Sequence, residues 1–177
     1  MTTLQVDNIT FDFNSTVTAQ IYDQWRHYTA VWQAHVGGQK AVDIVAVAGI
    51  PPQSTAWLIE VKDFRVITGT PKESNIAGLA QFMADKAHDT LAGLTHASRH
   101  AAIPGEKQFA TDALASASSR IVLHLEPHTG AHTKLFPAGF PASVLQNLRQ
   151  LVKAIDTKPL VLKIANTPNS GVPWAVS

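Results

Sequence analysis

Apolar and polar residues alternate along the chain with two periods, and the changes of period predict the order of strands and helices. Residues 1–14 alternate weakly and predict a short strand. Apolar positions four residues apart, after a Ser or Thr cap, predict a short helix over 16–25. Residues 28–35 alternate again before Gly37-Gly38, which predicts a hairpin whose second strand lies within 41–48.

The remainder of the chain continues this succession of strands and helices. A strand is predicted over 55–64, and residues 76–97 carry an apolar stripe at helical spacing. Ser143 and Gln146 form a capping-box pair, which predicts that the last helix begins at Ser143. The other predicted features are a loop or weak surface helix over 101–119, strands over 120–125 and 160–164, and a C-terminal tail in which Trp174 packs down.

The strands over 41–48 and 55–64 are apolar on both faces. This pattern is typical of strands in the middle of a sheet with helices above and below. The expected order of helix, three strands, helix, strand, helix, strand predicts an α/β protein with a mixed central sheet flanked by helices. A length of 177 residues suits one core, so we expect residues 1–177 to form a single domain.

The composition excludes some classes of protein and limits others. Apolar residues make up 45% of the chain and charged residues 15%, which excludes intrinsic disorder. No apolar run is long enough to span a membrane and the first residues do not resemble a secretion signal, so we expect no membrane partner. Cysteine is absent, which fits a reducing compartment, and we expect a cytoplasmic protein. A net charge of +1 means that nucleic-acid binding requires a local basic patch.

Three charged residues interrupt the two central strands and form the main candidate site. Glu60 and Lys62 project from one face about 7 Å apart, and Asp43 reaches them if the strands pair. One interpretation is a hydrolytic metal site, in which Asp43, Glu60 and the carbonyl of Val61 bind Mg²⁺ or Mn²⁺. Lys62 would then orient or deprotonate the attacking water. The alternative is a buried charge triad with a structural role.

This pattern resembles the PD-(D/E)XK nuclease superfamily: Asp43, then sixteen residues, then Glu60-Val61-Lys62, on consecutive strands before a helix. The resemblance covers roughly residues 16–126. It implies the restriction-endonuclease-like fold, an α-β-β-β-α-β core with a mixed central sheet, followed here by a C-terminal helix and strand. It also implies an Mg²⁺-dependent endo- or exonuclease that hydrolyses phosphodiester bonds of DNA, or less favourably RNA. Asp43 and Glu60 would be metal ligands and Lys62 the catalytic lysine.

Further residues match the family in part. Gln81 matches the first residue of a Gln/Tyr pair found in some branches and is expected to approach the site, although Asp85 replaces the Tyr. The predicted first helix lacks the usual Glu, and Asp23 or Gln24 is the nearest substitute. Because one fold serves many functions, the alternative is a catalytically inactive binding or regulatory module. The low net charge favours action as a homodimer, with a protein partner or on a limited substrate.

A second polar cluster lies near the end of the strand predicted over 120–125. It consists of His124, Glu126, His128 and His132. Imidazole and carboxylate groups suit zinc or another transition metal, which gives a hydrolase of a different kind as a third hypothesis. The alternative is a solvated strand edge that leads into a turn.

Overall fold

The computed structural model describes residues 1–65, 77–128, 135–137 and 139–177. The strands, in chain order, are β1 (Thr2–Val6), β2 (Ile9–Phe13), β3 (Val17–Ile21), β4 (Ile44–Ala48), β5 (Thr55–Asp63), β6 (Ser118–Glu126), β7 (Leu160–Leu162) and β8 (Trp174–Val176). The α-helices are α1 (Gln33–Val36), α2 (Leu79–His100), α3 (Pro104–Leu114) and α4 (Phe140–Leu151). A π-helical segment, His27–Trp32, leads into α1, and 3₁₀ turns occupy Tyr22–Gln24 and Ile164–Asn169.

Five strands form the main sheet in the order β3-β4-β5-β6-β7. The first three pair antiparallel, whereas β5, β6 and β7 pair in parallel. Parallel neighbours require a crossover, and α2 and α3 lie between β5 and β6 in the chain, while α4 lies between β6 and β7. The prediction of an α/β protein with a mixed sheet and central strands at 41–48 and 55–64 is therefore confirmed.

One face of the main sheet packs against helices. Helix α2 contacts both α3 and α4, and its buried side chains include Leu79, Met83 and Leu94. They join a core cluster with sheet residues such as Val45 and Leu58. The apolar stripe predicted for the long helix is therefore confirmed, and it buries the same sheet face to which Glu60 and Lys62 belong by alternation.

The other face of the main sheet is covered by a second, smaller sheet. Its strands lie in the order β1-β2-β8, with both pairs antiparallel. Phe11 and Phe13 of β2 pack with Trp174 of β8 and Trp57 of β5 in the second core cluster. The Trp57 and Trp174 rings meet edge to face, with centroids 5.2 Å apart. The expectation of helices on both faces is therefore wrong on this side, whereas the packing of Trp174 is confirmed.

The N-terminal part of the chain differs most from the predicted order. Residues predicted as a helix over 16–25 contain β3, because Val17 and Ala19 alternate into the core between the two sheets. Residues predicted as a strand over 28–35 are helical instead. Trp25, Tyr28 and Trp32 are three and four residues apart, which is helical spacing, and this period prevails over the alternation. The predicted first helix of the α-β-β-β-α-β order is thus a strand, and the restriction-endonuclease-like fold is not confirmed.

Smaller differences occur elsewhere along the chain. The weak region at 101–119 contains α3, whose Glu106 carboxylate accepts backbone N–H bonds from Arg26 and His27. Helix α4 begins at Phe140, so Ser143 lies inside it and donates its hydroxyl to the Phe140 carbonyl instead of capping the helix. Strand β7 ends at Leu162, and residues 1–14 contain two strands instead of one. The predicted helix start at Ile76 lies outside the described residues.

Among the residues that the structure describes, none of the helices combines the length and the apolar character needed to cross a membrane. The predicted cytoplasmic location and the single domain over 1–177 stay predictions.

Gly93 of α2 provides a test of the helix packing. A Cβ at this position would lie 2.3 Å from the Tyr22 hydroxyl oxygen and 3.3 Å from Trp32 Nε1, whereas a Cβ at Gly105 would meet nothing within 4 Å. We expect Gly93→Ala to lower the free energy of unfolding by about 1–3 kcal/mol through overpacking. Gly105→Ala, also in a helix, should leave stability unchanged or raise it. Urea denaturation measures both, and equal effects would contradict the packing described here.

Candidate functional site

Asp43 and Glu60 lie next to each other at one end of the main sheet. Asp43 immediately precedes β4, and its Oδ2 accepts a 2.7 Å hydrogen bond from the backbone N–H of Val61 in β5. The carbonyl of Asp43 accepts a 2.8 Å bond from the backbone of Tyr22, which joins the end of β3 to the same place. Glu60 is 0% exposed. The predicted proximity of Asp43 and Glu60 is therefore observed, and it results from strand pairing.

Two lysines bind the buried Glu60 carboxylate. Lys86, from α2, donates to its Oε1 at 2.7 Å and to its Oε2 at 2.8 Å. Lys62, two residues further along β5, lies 2.7 Å from Oε1. The Lys86 ammonium also lies 3.7 Å from Asp43 Oδ1. The predicted group of Asp43, Glu60 and Lys62 is therefore assembled, and it includes a fourth residue, Lys86, which joins the sheet to the helix layer.

Burial controls the electrostatics of this group. Burial and the adjacent Asp43 carboxylate raise the pKa of Glu60 to about 7, against the lowering effect of Lys62 and Lys86. Burial acts to lower the pKa of Lys62, but the Glu60 carboxylate outweighs it and raises that pKa above its usual value. The Asp43 charge also acts on Asp23: burial and that charge raise the pKa of Asp23. Its Oδ1 is buried and has no hydrogen-bond partner.

The contacts of Asp43 and Glu60 bear on the predicted Mg²⁺ or Mn²⁺ site. Both Glu60 oxygens and Asp43 Oδ2 already accept hydrogen bonds, and the Lys86 ammonium lies between the two carboxylates. Within the described ranges, no group of three or more His, Cys, Asp or Glu side chains is arranged to hold a metal ion. As arranged, this donor set does not fit a divalent cation. The proposed roles of Asp43, Glu60 and Val61 as ligands, and of Lys62 and Gln81 in catalysis, stay predictions.

Beside the charged group lies a cavity of about 470 Å³, the stacking cavity. Its lining residues are Lys40, Lys62, Phe64, Gly78, Leu79, Gln81, Phe82 and Asp85. The half-buried Phe82 ring has three ammonium groups near it, with distances to its centroid of 5.0 Å for Lys40, 5.3 Å for Lys62 and 5.1 Å for Lys86. These distances are within the range of cation–π attraction. The cavity therefore combines an aromatic wall with positively charged groups.

The charges around the stacking cavity are nearly balanced. Lys40 pairs with Asp85 at 3.0 Å, and Gln81 donates a 2.7 Å bond to the same carboxylate. Both Lys40 and Asp85 are about two-fifths exposed, so their pair is worth little and yields easily to a competing anion. Gln81 and Lys62 both line the cavity.

The predicted histidine cluster does not assemble in the described part of the chain. His124 is buried against β2 and β8, where its Nε2 accepts a bond from Trp174 Nε1 and its ring meets Phe11 edge to face. Burial lowers the pKa of His124 to about 4. Glu126 accepts a hydrogen bond from the backbone N–H of Ile164. This contact replaces the expected role of Glu126 as a metal ligand beside His124. His132 lies outside the described residues.

Two residues that complete the site, Lys86 and Phe82, carried only a weak signal in the sequence. Phe82 lies in the long helix but outside its apolar stripe, and Lys86 follows it by four residues, one helical turn. Residues four apart are neighbours on the surface of a helix, so this spacing places Phe82 and Lys86 on the same side of α2. Which carboxylate Lys86 contacts depends on the crossing of α2 over the sheet, and the sequence does not contain that information.

Comparison with known proteins gives one distant relationship. The chain is 29% identical, over an alignment 213 positions long, to a cysteine–tRNA ligase from Neisseria meningitidis serogroup A / serotype 4A (strain DSM 15465 / Z2491). The alignment covers 100% of this chain but 30% of the ligase, so the chain spans less than a third of that relative's length. No protein-family model matches the chain, and no solved structure matches it.

These comparisons correct the nuclease interpretation. The resemblance to the PD-(D/E)XK superfamily finds no support from a family model or a solved structure, and the relative that is found is a tRNA ligase. Assignment as a metal-dependent nuclease is therefore wrong, and the inactive module of that fold is no better supported. The short Glu-x-Lys motif was misleading because two charged residues at alternate positions of a strand also arise as a structural ion pair. DNA as the partner and a homodimer or protein partner remain unconfirmed.

The stability of the site depends on Lys86. Replacement by Met leaves the buried Glu60 with Lys62 alone, and breaking one side of a buried pair costs about 3–5 kcal/mol. We therefore expect Lys86→Met to lower the free energy of unfolding by an amount of this order in urea denaturation. Lys107→Met, which removes an exposed lysine of α3, is the matched control and should change it little. Equal stability of the two variants would contradict the structural role of Lys86.

The cost of Glu60 ionisation also predicts a pH dependence. Since the folded-state pKa of Glu60 is raised to about 7 from an ordinary value near 4.5, its contribution to stability is complete below pH 4.5. That contribution is lost as the pH rises towards and through 7. Relative to Glu60→Gln, which cannot ionise, wild type should lose stability between pH 4.5 and 7.5. Chemical denaturation at each pH measures this difference, and a constant difference would show that Glu60 ionises normally.

Proposed function

We propose that this protein is an RNA-binding module related to a segment of cysteine–tRNA ligase, and that it holds an unpaired nucleotide of tRNA in the stacking cavity. The proposal concerns recognition of RNA, not attachment of an amino acid. It rests above all on one observation: an aromatic ring, Phe82, forms a wall of a 470 Å³ cavity with the ammonium groups of Lys40 and Lys62 at the same wall.

The chemistry of the stacking cavity suits a nucleotide. A base stacks on an aromatic ring regardless of its identity, and this contact is the main mode by which proteins bind single-stranded nucleic acid. Phe64 and Leu79 extend the apolar wall beside Phe82, and the exposed Gln81 offers an amide for hydrogen bonding. A flipped or unpaired base therefore finds both an apolar surface and polar contacts in one concave site.

The two lysines at the stacking cavity favour contact with only a few phosphates of the RNA. Lys40 and Lys62 are 39% and 29% exposed, so a phosphate reaches both, yet each already has a carboxylate partner. The net charge of the whole chain is only +1. Strong non-specific binding to nucleic acid requires many neutralised phosphates, and the described surface around the cavity does not supply them. We infer that stacking contributes more to the affinity than phosphate contacts do.

The comparison supports RNA as the class of partner. The relative with which the chain aligns over its full length is named for its action on tRNA. The alignment covers 30% of that ligase, so this chain corresponds to one segment of it. A segment that contacts RNA without carrying out the ligation is consistent with this partial coverage. Ligation of cysteine is not part of the proposal.

The direct test is binding of fluorescein-labelled RNA measured by fluorescence anisotropy. The ligands are a tRNA that accepts cysteine, a short single-stranded RNA and DNA of the same sequence. We expect Phe82→Ala to weaken binding of both RNAs by about 1–3 kcal/mol, roughly 5- to 150-fold, which is the usual cost of losing a stacked base. Phe82→Tyr keeps the ring and should retain binding. Lys107 is an exposed residue of α3 that is not among the lining residues of the cavity, so Lys107→Gln is the control for lost charge.

The salt dependence tests the proposed balance of forces. Contact of two phosphates with Lys40 and Lys62 predicts a slope of about −1.4 in a plot of log K against log salt concentration, from about −0.7 per phosphate of a single strand. Lys40→Gln should make this slope shallower by about half. No binding of either RNA by folded wild type, or equal binding by Phe82→Ala, would overturn the proposal. Preferential binding of the DNA would identify a different nucleic acid as the partner.

A further inference from the structure

We propose that the Lys86 ammonium serves as a built-in cation between Asp43 and Glu60, so that this pair of carboxylates takes no divalent metal ion until Lys86 is removed. The proposal contradicts the Mg²⁺ or Mn²⁺ site expected from the sequence. It is independent of the proposed RNA binding, because it concerns the charged group beside the stacking cavity and its test uses no RNA.

The first argument is the position of Lys86 Nζ. It lies 2.7 and 2.8 Å from the two oxygens of Glu60 and 3.7 Å from Asp43 Oδ1. A divalent ion that used both carboxylates would need the same space, with its oxygen ligands about 2.0–2.6 Å away. The ammonium and the metal ion are therefore alternatives for one position.

The second argument is the way in which the ammonium is held. The Lys86 side chain is 13% exposed, so it cannot withdraw into solvent without leaving the buried Glu60 with Lys62 as its remaining described cation. The Phe82 ring, one helical turn earlier in α2, lies 5.1 Å from the ammonium and stabilises it by cation–π attraction. Lys86 is therefore fixed from both sides, by the sheet and by its own helix.

The third argument is the surplus of negative charge that Lys86 offsets. Asp43 and Glu60 carry carboxylates, and the Asp43 charge also acts on Asp23, whose Oδ1 is buried without a hydrogen-bond partner. Without Lys86, Lys62 is the cation that remains in contact with Glu60 among the described contacts. Removal of Lys86 would leave the Asp43 and Glu60 carboxylates facing a vacated cation position, and carboxylate oxygens are the ligand type that Mg²⁺ and Mn²⁺ prefer.

The test measures Mn²⁺ binding by the loss of the free-ion signal in electron paramagnetic resonance. We expect wild type and Lys86→Arg to bind Mn²⁺ weakly and alike, since both retain a cation between the carboxylates. Lys86→Ala and Lys86→Gln should bind a single Mn²⁺ ion at least about tenfold more tightly, because the charge of the ligand set becomes more negative. Lys107→Ala, which removes an exposed lysine of α3, should behave as wild type.

A second variant and a second readout separate this site from surface binding and from loss of fold. Adding Asp43→Asn to Lys86→Ala should abolish the gain in Mn²⁺ affinity. Where Lys86→Ala is destabilised, Mn²⁺ should raise its melting temperature but not that of wild type, since a ligand that binds only the folded state stabilises it. Tight binding by wild type that Asp43→Asn removes would overturn the proposal. So would a failure of both Lys86→Ala and Lys86→Gln to gain affinity.

Discussion

The Glu60 carboxylate is the group around which the described site is arranged. It has no exposure to solvent, and burial of a carboxylate is costly unless cations or hydrogen bonds compensate it. Lys86 supplies that compensation from α2, and Lys62 supplies it from the same strand, so an ion pair fixes the approach of the long helix to the sheet. Because Phe82 lies one turn from Lys86, the same contact also determines where the aromatic wall of the stacking cavity lies.

The two faces of the main sheet have different roles. The helix face carries the charged group and the cavity, because α2 provides long polar side chains along the edge of its apolar stripe. The opposite face packs against a second sheet through aromatic and aliphatic side chains. Even His124 is used there for packing, with one hydrogen bond to Trp174 and a pKa lowered by burial. A histidine in a strand therefore needs its surroundings described before it indicates a metal site.

Much of the secondary structure could be predicted from periodicity, and the errors have identifiable causes. The long helix was predicted because its apolar stripe has an unambiguous helical period, and strand β5 because apolar residues on both faces are typical of a central strand. The segment over 16–25 was predicted wrongly, because apolar residues at 17 and 21 fit the period of a helix and also that of a strand. Pairing with β4 makes residues 17–21 a strand. At the site, alternation in β5 correctly grouped Glu60 with Lys62. It could not reveal Lys86, whose partner is set by tertiary packing, and a motif without that partner suggested the wrong chemistry.

The smaller sheet joins distant parts of the chain. Strand β2 pairs with β8, and Thr10 and Ser177 exchange two backbone hydrogen bonds of 2.9 and 3.0 Å across more than 160 residues. Contacts between segments so far apart in sequence raise the contact order. Closing the long loop between them costs conformational entropy, so these contacts are expected to form late in folding. The helix layer, built largely from neighbouring segments, is thus expected to assemble first. Trp57 and the rest of the opposite face then stay uncovered until the two distant segments meet.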